Sequence, residues 1–230
     1  MSKYSLRAFL KETEEKILQR DYFELETPQM LEINLDNQKV WTKMGSMVAY
    51  IGNINFERQG MLSGGISNLI KKAVTGEGMR LMKAEGTGKL YVADGGKKVR
   101  ILYLENESIS VNGNDVLAHD QSLKSDITML KSIAGAMAGG LFQVKLSGTG
   151  YVAITTHGDP LTLIVTPQNP VFTDPNATVA WSGNLKPDLK TNVSLKSLLG
   201  RGSGEEFQMK FSGEGWVLIQ PYEEVYVVEK

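Results

Sequence analysis

The sequence predicts an all-β fold built from three repeated modules, and three observations carry that reading. One phrase occurs three times, as Lys83-Ala84-Glu85-Gly86-Thr87-Gly88, Lys145-Leu146-Ser147-Gly148-Thr149-Gly150 and Lys210-Phe211-Ser212-Gly213-Glu214-Gly215. A second phrase accompanies it, as Val48-Ala49-Tyr50, Leu117-Ala118-His119 and Val179-Ala180-Trp181. The interval from Gly86 to Leu117 and that from Gly148 to Val179 are both 31 positions. Self-similarity at a fixed interval marks a repeat architecture. The third observation is local: most segments are short, rich in β-branched and aromatic residues, and bounded by turn residues.

The elements follow in order. Leu6, Leu10, Thr13 and Ile17 recur at helical spacing, with Phe9 and Leu18 beside them and Glu and Lys on the other face. This predicts an amphipathic helix over residues 5–19, in an N-terminal segment spanning 1–20. From Phe23 the period changes to two, through Leu25, Leu31, Ile33 and Leu35, as in a strand. Further strands are predicted at Tyr91–Ala93, Val99–Leu104, Ser108–Val111, Phe142–Leu146, Tyr151–Thr155, Leu161–Val165, Phe207–Phe211 and Trp216–Ile219. Asp94-Gly95-Gly96, Asn112-Gly113, His157-Gly158-Asp159-Pro160 and Asp174-Pro175-Asn176 are turn signals between them.

Three connectors break the strand pattern. Residues 63–78, 125–140 and 194–204 carry apolar stripes at helical spacing (Ile66, Leu69, Ile70; Ile127, Leu130, Ile133; Leu195, Leu198, Leu199) and end in glycines. They predict short connecting helices. The last Gly-x-Gly is followed by no Val-Ala phrase, and the first Val-Ala phrase is preceded by no Gly-x-Gly. The expectation is therefore closure. The segment from Gly213 onward completes the module begun by residues 23–60, and Trp216–Ile219 pairs within residues 31–51. Residues 21–230 then form a single domain around a pseudo-threefold axis. Closure also leaves fewer sheet edges exposed.

Composition sets the outer bounds. The 230 residues suffice for a self-sufficient core. With no cysteine, disulfides, thiolate metal sites and cysteine nucleophiles are excluded, and a reducing, cytoplasmic setting is predicted. A net charge of −1 gives no bulk attraction to nucleic acid. No apolar run is long enough to span a bilayer. The N-terminus is too acidic for a signal or transit peptide.

The run Lys43-Met44-Gly45-Ser46-Met47-Val48-Ala49-Tyr50 and the phrase at residues 81–88 carry a resemblance. So does Arg201-Gly202-Ser203-Gly204-Glu205 with Ile219-Gln220-Pro221 further on. Together they resemble the altered-inheritance-of-mitochondria family of mitochondrial biogenesis proteins, whose bacterial members were long catalogued as a domain of unknown function. The resemblance covers about residues 20–226. It implies a β-sandwich related to the tryptophan RNA-binding attenuation protein fold and no enzyme activity. It supplies no catalytic residues. Mitochondrial relatives are associated with inner-membrane organisation; this chain, lacking a transit peptide, is similar to the bacterial branch.

Candidate chemistry is sparse. His119 and His157 are the only histidines and sit in unlike settings, one in a Val-Ala phrase and one in a turn. A metal site needs convergent ligands, and none is predicted; nor is any cofactor. Gly200-Arg201-Gly202-Ser203-Gly204-Glu205 follows a helix and precedes a strand, the reverse of a phosphate loop. Tyr50, Tyr151, Trp181 and Trp216 recur at repeat positions and read as packing between modules. Gly86, Gly148 and Gly213 are predicted to hold equivalent tight turns or bulges. Lys83, Lys145 and Lys210 each lie between apolar neighbours, so alternation turns them away from the core.

Two functional readings follow. The first is a non-enzymatic scaffold or interaction protein that self-associates as a homo-oligomer or binds a protein partner. The alternative is an RNA- or anion-binding module using Lys83, Lys145 and Lys210. Near-neutral charge ranks nucleic acid second. The apolar helical stripes leave room for peripheral membrane contact, against which the mixed charge of residues 5–19 argues.

Overall fold

The structure, a computed structural model, describes residues 4–15, 21–58, 81–130, 142–191 and 207–222. A short helix, α1 (Leu6–Glu12), precedes the strands. The first group is β1 (Phe23–Thr27), β2 (Met30–Lys43), β3 (Met47–Arg58) and β4 (Leu81–Val92). The second is β5 (Lys98–Asn112), β6 (Val116–Asp120), β7 (Lys124–Met129) and β8 (Phe142–Thr156). The third is β9 (Leu161–Val165), β10 (Val171–Thr173), β11 (Thr178–Ser182), β12 (Asp188–Thr191), β13 (Phe207–Phe211) and β14 (Gly215–Ile219). All ladders are antiparallel. An eleven-stranded sheet follows the order β3-β4-β2-β6-β8-β5-β11-β14-β9, with β1 on β2 and β7 on β8; a second sheet runs β10-β13-β12. This is the all-β, sandwich-type architecture that the sequence predicts.

Each group repeats one plan. A long strand containing Gly-x-Gly lies in the middle: β4, β8, and β13 continuing into β14. It pairs on one side with the strand that opens the group, β2, β5 or β9–β10. On the other side it pairs with the strand carrying the Val-Ala phrase: β3, β6–β7 or β11–β12. The register slips at the first residue of that phrase in every group, between Met47 and Ala49, Val116 and Ala118, and Thr178 and Ala180. A backbone bond also recurs, from Ala93 N–H to Ser46 O, Thr155 N–H to Asp115 O and Gln220 N–H to Ala177 O, at 2.9, 2.8 and 2.9 Å. The opening strands of the first two modules bulge opposite Gly-x-Gly. Asn37 (φ 53°) and Asn106 (φ 56°) take up the extra residue, and each donates its N–H to the threonine hydroxyl of the facing Gly-Thr-Gly, Thr87 or Thr149, at 3.1 and 3.0 Å.

Among the described residues the predicted closure does not occur: Trp216–Ile219 finds no partner in residues 31–51. Trp216 and its neighbours pair with Ile164 in β9 and, through Val217, with Trp181 in β11. Residues 31–43 instead pair with β4, β1 and β6, and residues 47–58 with β4. The first module already contains its own Gly-x-Gly strand at residues 86–88, so the place the closure assigned to the C-terminal strand is taken by β4. The equal intervals of 31 positions cross module boundaries, from the middle strand of one module to the Val-Ala strand of the next. The modules are contiguous in sequence and arranged in a row.

Two helix predictions also change. Over 125–140, residues up to Met129 form strand β7, where Ile127 faces Val144 across the ladder and packs on the second core. Strand pairing satisfies that backbone while burying the same side chain, so helical spacing alone did not decide the conformation. The rest of that segment, with the connectors at 63–78 and 194–204, lies outside the described residues. The N-terminal helix is confined to Leu6–Glu12. Ser5 Oγ caps it by accepting the Ala8 N–H at 3.2 Å. No residue of α1 is buried. Leu6, Phe9 and Leu10 are exposed, so its apolar stripe covers no core. Residues 1–3 and 16–20 of the predicted segment lie outside the description.

Three cores sit along the row. The first combines Leu31, Ile33, Val40, Leu90 and Val92 with Leu117 and Ala118 of the second module. The second combines Ile109, Val111, Val144 and Ile154 with Val179 and Ala180 of the third. The third contains Val165, Trp181, Met209, Phe211 and Val217. The Val-Ala phrase is thus a plug: each of the second and third modules inserts it into the core of the module before.

Candidate functional site

The repeated glycines form the bends of the middle strands. Gly86, Gly148 and Gly213 have φ of 149°, 121° and 112°, conformations that strain any residue with a Cβ. Their surroundings differ. At Gly86 an added Cβ would overlap the Asn53 backbone oxygen, because β3 runs unbroken across β4 there. At Gly148 it would meet only Leu123 Cδ2 at 3.6 Å and Ser122 O at 3.8 Å, because β6 and β7 part at that point.

Lys83, Lys145 and Lys210 stand at equivalent positions on β4, β8 and β13. Each has its own neighbours. Lys83 Nζ lies 2.7 Å from Glu57 and 3.2 Å from Glu85, and those carboxylates raise its ammonium above the ordinary lysine value. Lys145 faces Asp126 across the β7–β8 ladder. Lys210 faces Asp188, and its Nζ lies 5.7 Å from the centre of the Phe172 ring. Strands β4 and β8 are separated by β2 and β6, and the row across the sheet from Lys83 runs through Trp41 and His119 to Val152, seven residues along β8 from Lys145, so the two lysines do not converge.

His119 occupies the aromatic slot of the first junction. It is fully buried between Trp41 of β2 and Val152 of β8 in the ladder. Its Nδ1 lies 2.9 Å from the Asp120 backbone oxygen, which a neutral ring satisfies by donating from Nδ1. Nε2 is then a buried acceptor without a hydrogen-bond partner. Burial pushes the imidazole below its usual range, outweighing the raising effect of the Asp120 oxygen. The unfolded state therefore binds this proton first, and stability falls as pH drops below about 6.5. Above that pH both states are neutral at this site and the effect vanishes. In His119→Phe, which keeps an aromatic ring, urea unfolding will show a flatter stability profile between pH 7.5 and 5.5. The difference in slope will approach about 1.4 kcal/mol per pH unit, one proton's worth. Parallel profiles would rule out a neutral buried His119.

The second histidine lies far from that junction. His157 packs its ring 4.0 Å from that of Tyr222, while its N–H is bonded to Gln220 Oε1 at 2.8 Å. The two histidines are not brought together. Among the described residues no group of three or more His, Asp or Glu is placed to hold a metal ion. Among them, too, no helix is long and apolar enough to cross a membrane.

Two features escaped sequence reasoning. One is a charged cluster where the first module meets the second. Lys97 Nζ lies 3.1 Å from Asp115 Oδ1, and both residues are buried. Beside them Lys43 Nζ donates to Asp94 Oδ2 and to the Asn114 backbone oxygen, each at 2.8 Å. The other is a ridge of apolar side chains on β3: Met47, Val48, Tyr50 and Ile51 are 41%, 55%, 47% and 57% exposed. The signal for the ridge was present. Val48-Ala49-Tyr50 repeats a phrase whose other two copies are buried, but burial depends on a neighbour that sequence does not display.

This arrangement is that of a tandem array of antiparallel β modules joined by strand exchange between neighbours. The chain belongs to the mitochondrial biogenesis AIM24 family, whose model matches residues 23–222. It is similar to the solved protein SPYM3_0169 from Streptococcus pyogenes at 25% identity, with a TM-score of 0.67 over 87% of this chain and 92% of that one. No protein of curated function matches it.

Proposed function

We propose that this chain is a non-enzymatic scaffold that works in the cytoplasm through self-association and protein contact. The observation that supports this reading is the exposed ridge Met47–Ile51 on an edge strand. Exposed apolar side chains on a strand edge that no described strand pairs are a docking feature, since they offer both a backbone template and apolar area. The lack of cysteine suits the compartment. The lysine reading ranks second because carboxylates or a ring neighbour each lysine: Glu57 and Glu85, Asp126, and Asp188 with Phe172.

Two measurements on the purified full chain test the choice. Sedimentation velocity is expected to give a mass above the monomer. Fluorescence anisotropy with single-stranded RNA is expected to show no binding at physiological salt, for the wild type and for the triple variant Lys83→Glu, Lys145→Glu, Lys210→Glu alike. A salt-dependent RNA affinity that the triple variant loses would promote the anion-binding function instead.

A further inference from the structure

The modules are joined by one device used twice. At the first junction Val40, Trp41 and Thr42 of β2 pair with Asp120, His119 and Ala118 of β6. At the second, Ile109, Ser110 and Val111 of β5 pair with Ser182, Trp181 and Ala180 of β11. The two ladders have the same register: Val40 and Ile109 both lie opposite the equivalent middle-strand residues, Ala84 and Leu146. In each, the Val-Ala phrase of the later module enters the core of the earlier one, and Leu117, Ala118, Val179 and Ala180 are all fully buried there.

The row leaves one half of this device open at each end. At the start, β3 carries Val48-Ala49-Tyr50 but, among the described residues, pairs only with β4. All three residues are exposed. At the finish, β10 holds the position of the opening strand: Val171 lies opposite Phe211 as Val40 lies opposite Ala84. Among the described residues it pairs only with β13, and Phe172 is 52% exposed. Among the described residues the third core receives no Val-Ala phrase.

We infer that a second copy of this chain fills the vacancy, its β3 pairing with β10 and its Val48-Ala49 completing the third core. The register is dictated by the two internal junctions: Ile51 of one copy faces Val171 of the next, Tyr50 faces Phe172, and Ala49 faces Thr173. The contact is head-to-tail, so each copy uses one edge as donor and the other as acceptor, and assembly gives a ring or a filament according to the rotation per copy. Backbone bonds supply the template and the Val-Ala side chains the specificity, as in strand addition generally. This rests on the self-association proposed above and adds where it occurs.

A complementation experiment tests it. Val48→Glu spoils the donor edge and leaves the acceptor intact; Phe172→Glu does the reverse. Both residues are exposed, so each variant should melt as the wild type does; Tyr50→Asp serves as a second donor-edge variant. By sedimentation velocity the wild type is expected above monomer mass and each variant at monomer mass. An equimolar mixture of Val48→Glu and Phe172→Glu is expected to recover a species of dimer mass and no larger, because one good edge of each can meet once. If the wild type self-associates and these variants do so equally well, the interface lies elsewhere while the scaffold reading stands. Monomeric variants whose mixture stays monomeric exclude the head-to-tail contact. A wild type that is monomeric throughout a concentration series removes both the contact and the self-association.

Discussion

Gly86→Ala will destabilise the protein by more than about 3 kcal/mol, while Gly148→Ala at the equivalent position will lose only about 1–2 kcal/mol. Both glycines have positive φ, at 149° and 121°, so the conformational part of the loss is shared. What separates them is the second layer of backbone. In the first module β3 is one unbroken strand, and Gly52 faces Gly88 where β3 crosses the bend of β4. A methyl group on Gly86 would press against the Asn53 carbonyl and Ile54 Cα, and backbone held in a ladder cannot step aside as a side chain can. In the second module the Val-Ala strand is interrupted between Asp120 and Lys124, which opens the space over Gly148. Urea unfolding of the two variants reads the difference directly. Equal losses would mean that the bend, and not the crossing, sets the requirement for glycine.

The repeat phrases made the fold class legible because they mark bends and bulges, where few residue types serve. Gly-x-Gly marks the bend of each middle strand, and Val-Ala marks the bulge at the head of each strand that enters a neighbour's core. The order of phrases within a module was less legible. Interval counting alone cannot tell a distance inside a module from one that spans a boundary, and the equal intervals turned out to span boundaries. Ile127 misled for another reason. An apolar residue three or four positions from the next fits a helix, yet one inward residue on a short strand buries the same side chain. The conformation of Gly86, Gly148 and Gly213 could be reasoned from glycine chemistry. The partners of Lys83 could not, since Glu57 reaches it from a strand 26 positions away in sequence (83 − 57). The open edge of β3 is the clearest case. Tyr50, His119 and Trp181 hold one slot in three copies, and only the topology reveals that, among the described residues, the first has no counterpart of the strand that buries the others.

Asp115→Ala is expected to cost about 3–5 kcal/mol, the range for removing one partner of a buried ion pair. Asp115 is 1% exposed and its Oδ1 lies 3.1 Å from the Lys97 ammonium, itself in a residue only 8% exposed. With Asp115 gone, Asp94 remains at 3.8 Å from Lys97, but Lys43 already holds that same carboxylate oxygen at 2.8 Å. The Lys97 ammonium would then lose its 3.1 Å partner in a site where both residues are buried. The double variant Lys97→Met, Asp115→Ala leaves no ammonium stranded by the missing carboxylate, so it is expected to lose less than the sum of the two singles. Denaturant unfolding of the two singles and the double closes the cycle. A single-variant loss below about 1 kcal/mol would show that the pair behaves as a solvated surface contact. The cluster's position gives the experiment its structural meaning. Lys43 ends the opening strand of the first module, and Asn112 is its equivalent in the second. Asn112 makes that junction with neutral bonds, its Nδ2 donating to the Thr178 and Pro175 carbonyls at 3.2 and 3.4 Å. Two junctions of identical ladder geometry are thus locked by different chemistry, charged at the first and neutral at the second. A chain whose modules carry the same apolar plug needs such differences to keep each Val-Ala phrase in its own socket. On this argument Lys43, which reaches from the end of β2 to the Asn114 backbone oxygen at 2.8 Å, ties the first junction, and the Lys97–Asp115 pair at the two ends of β5 fixes the second module's side of it.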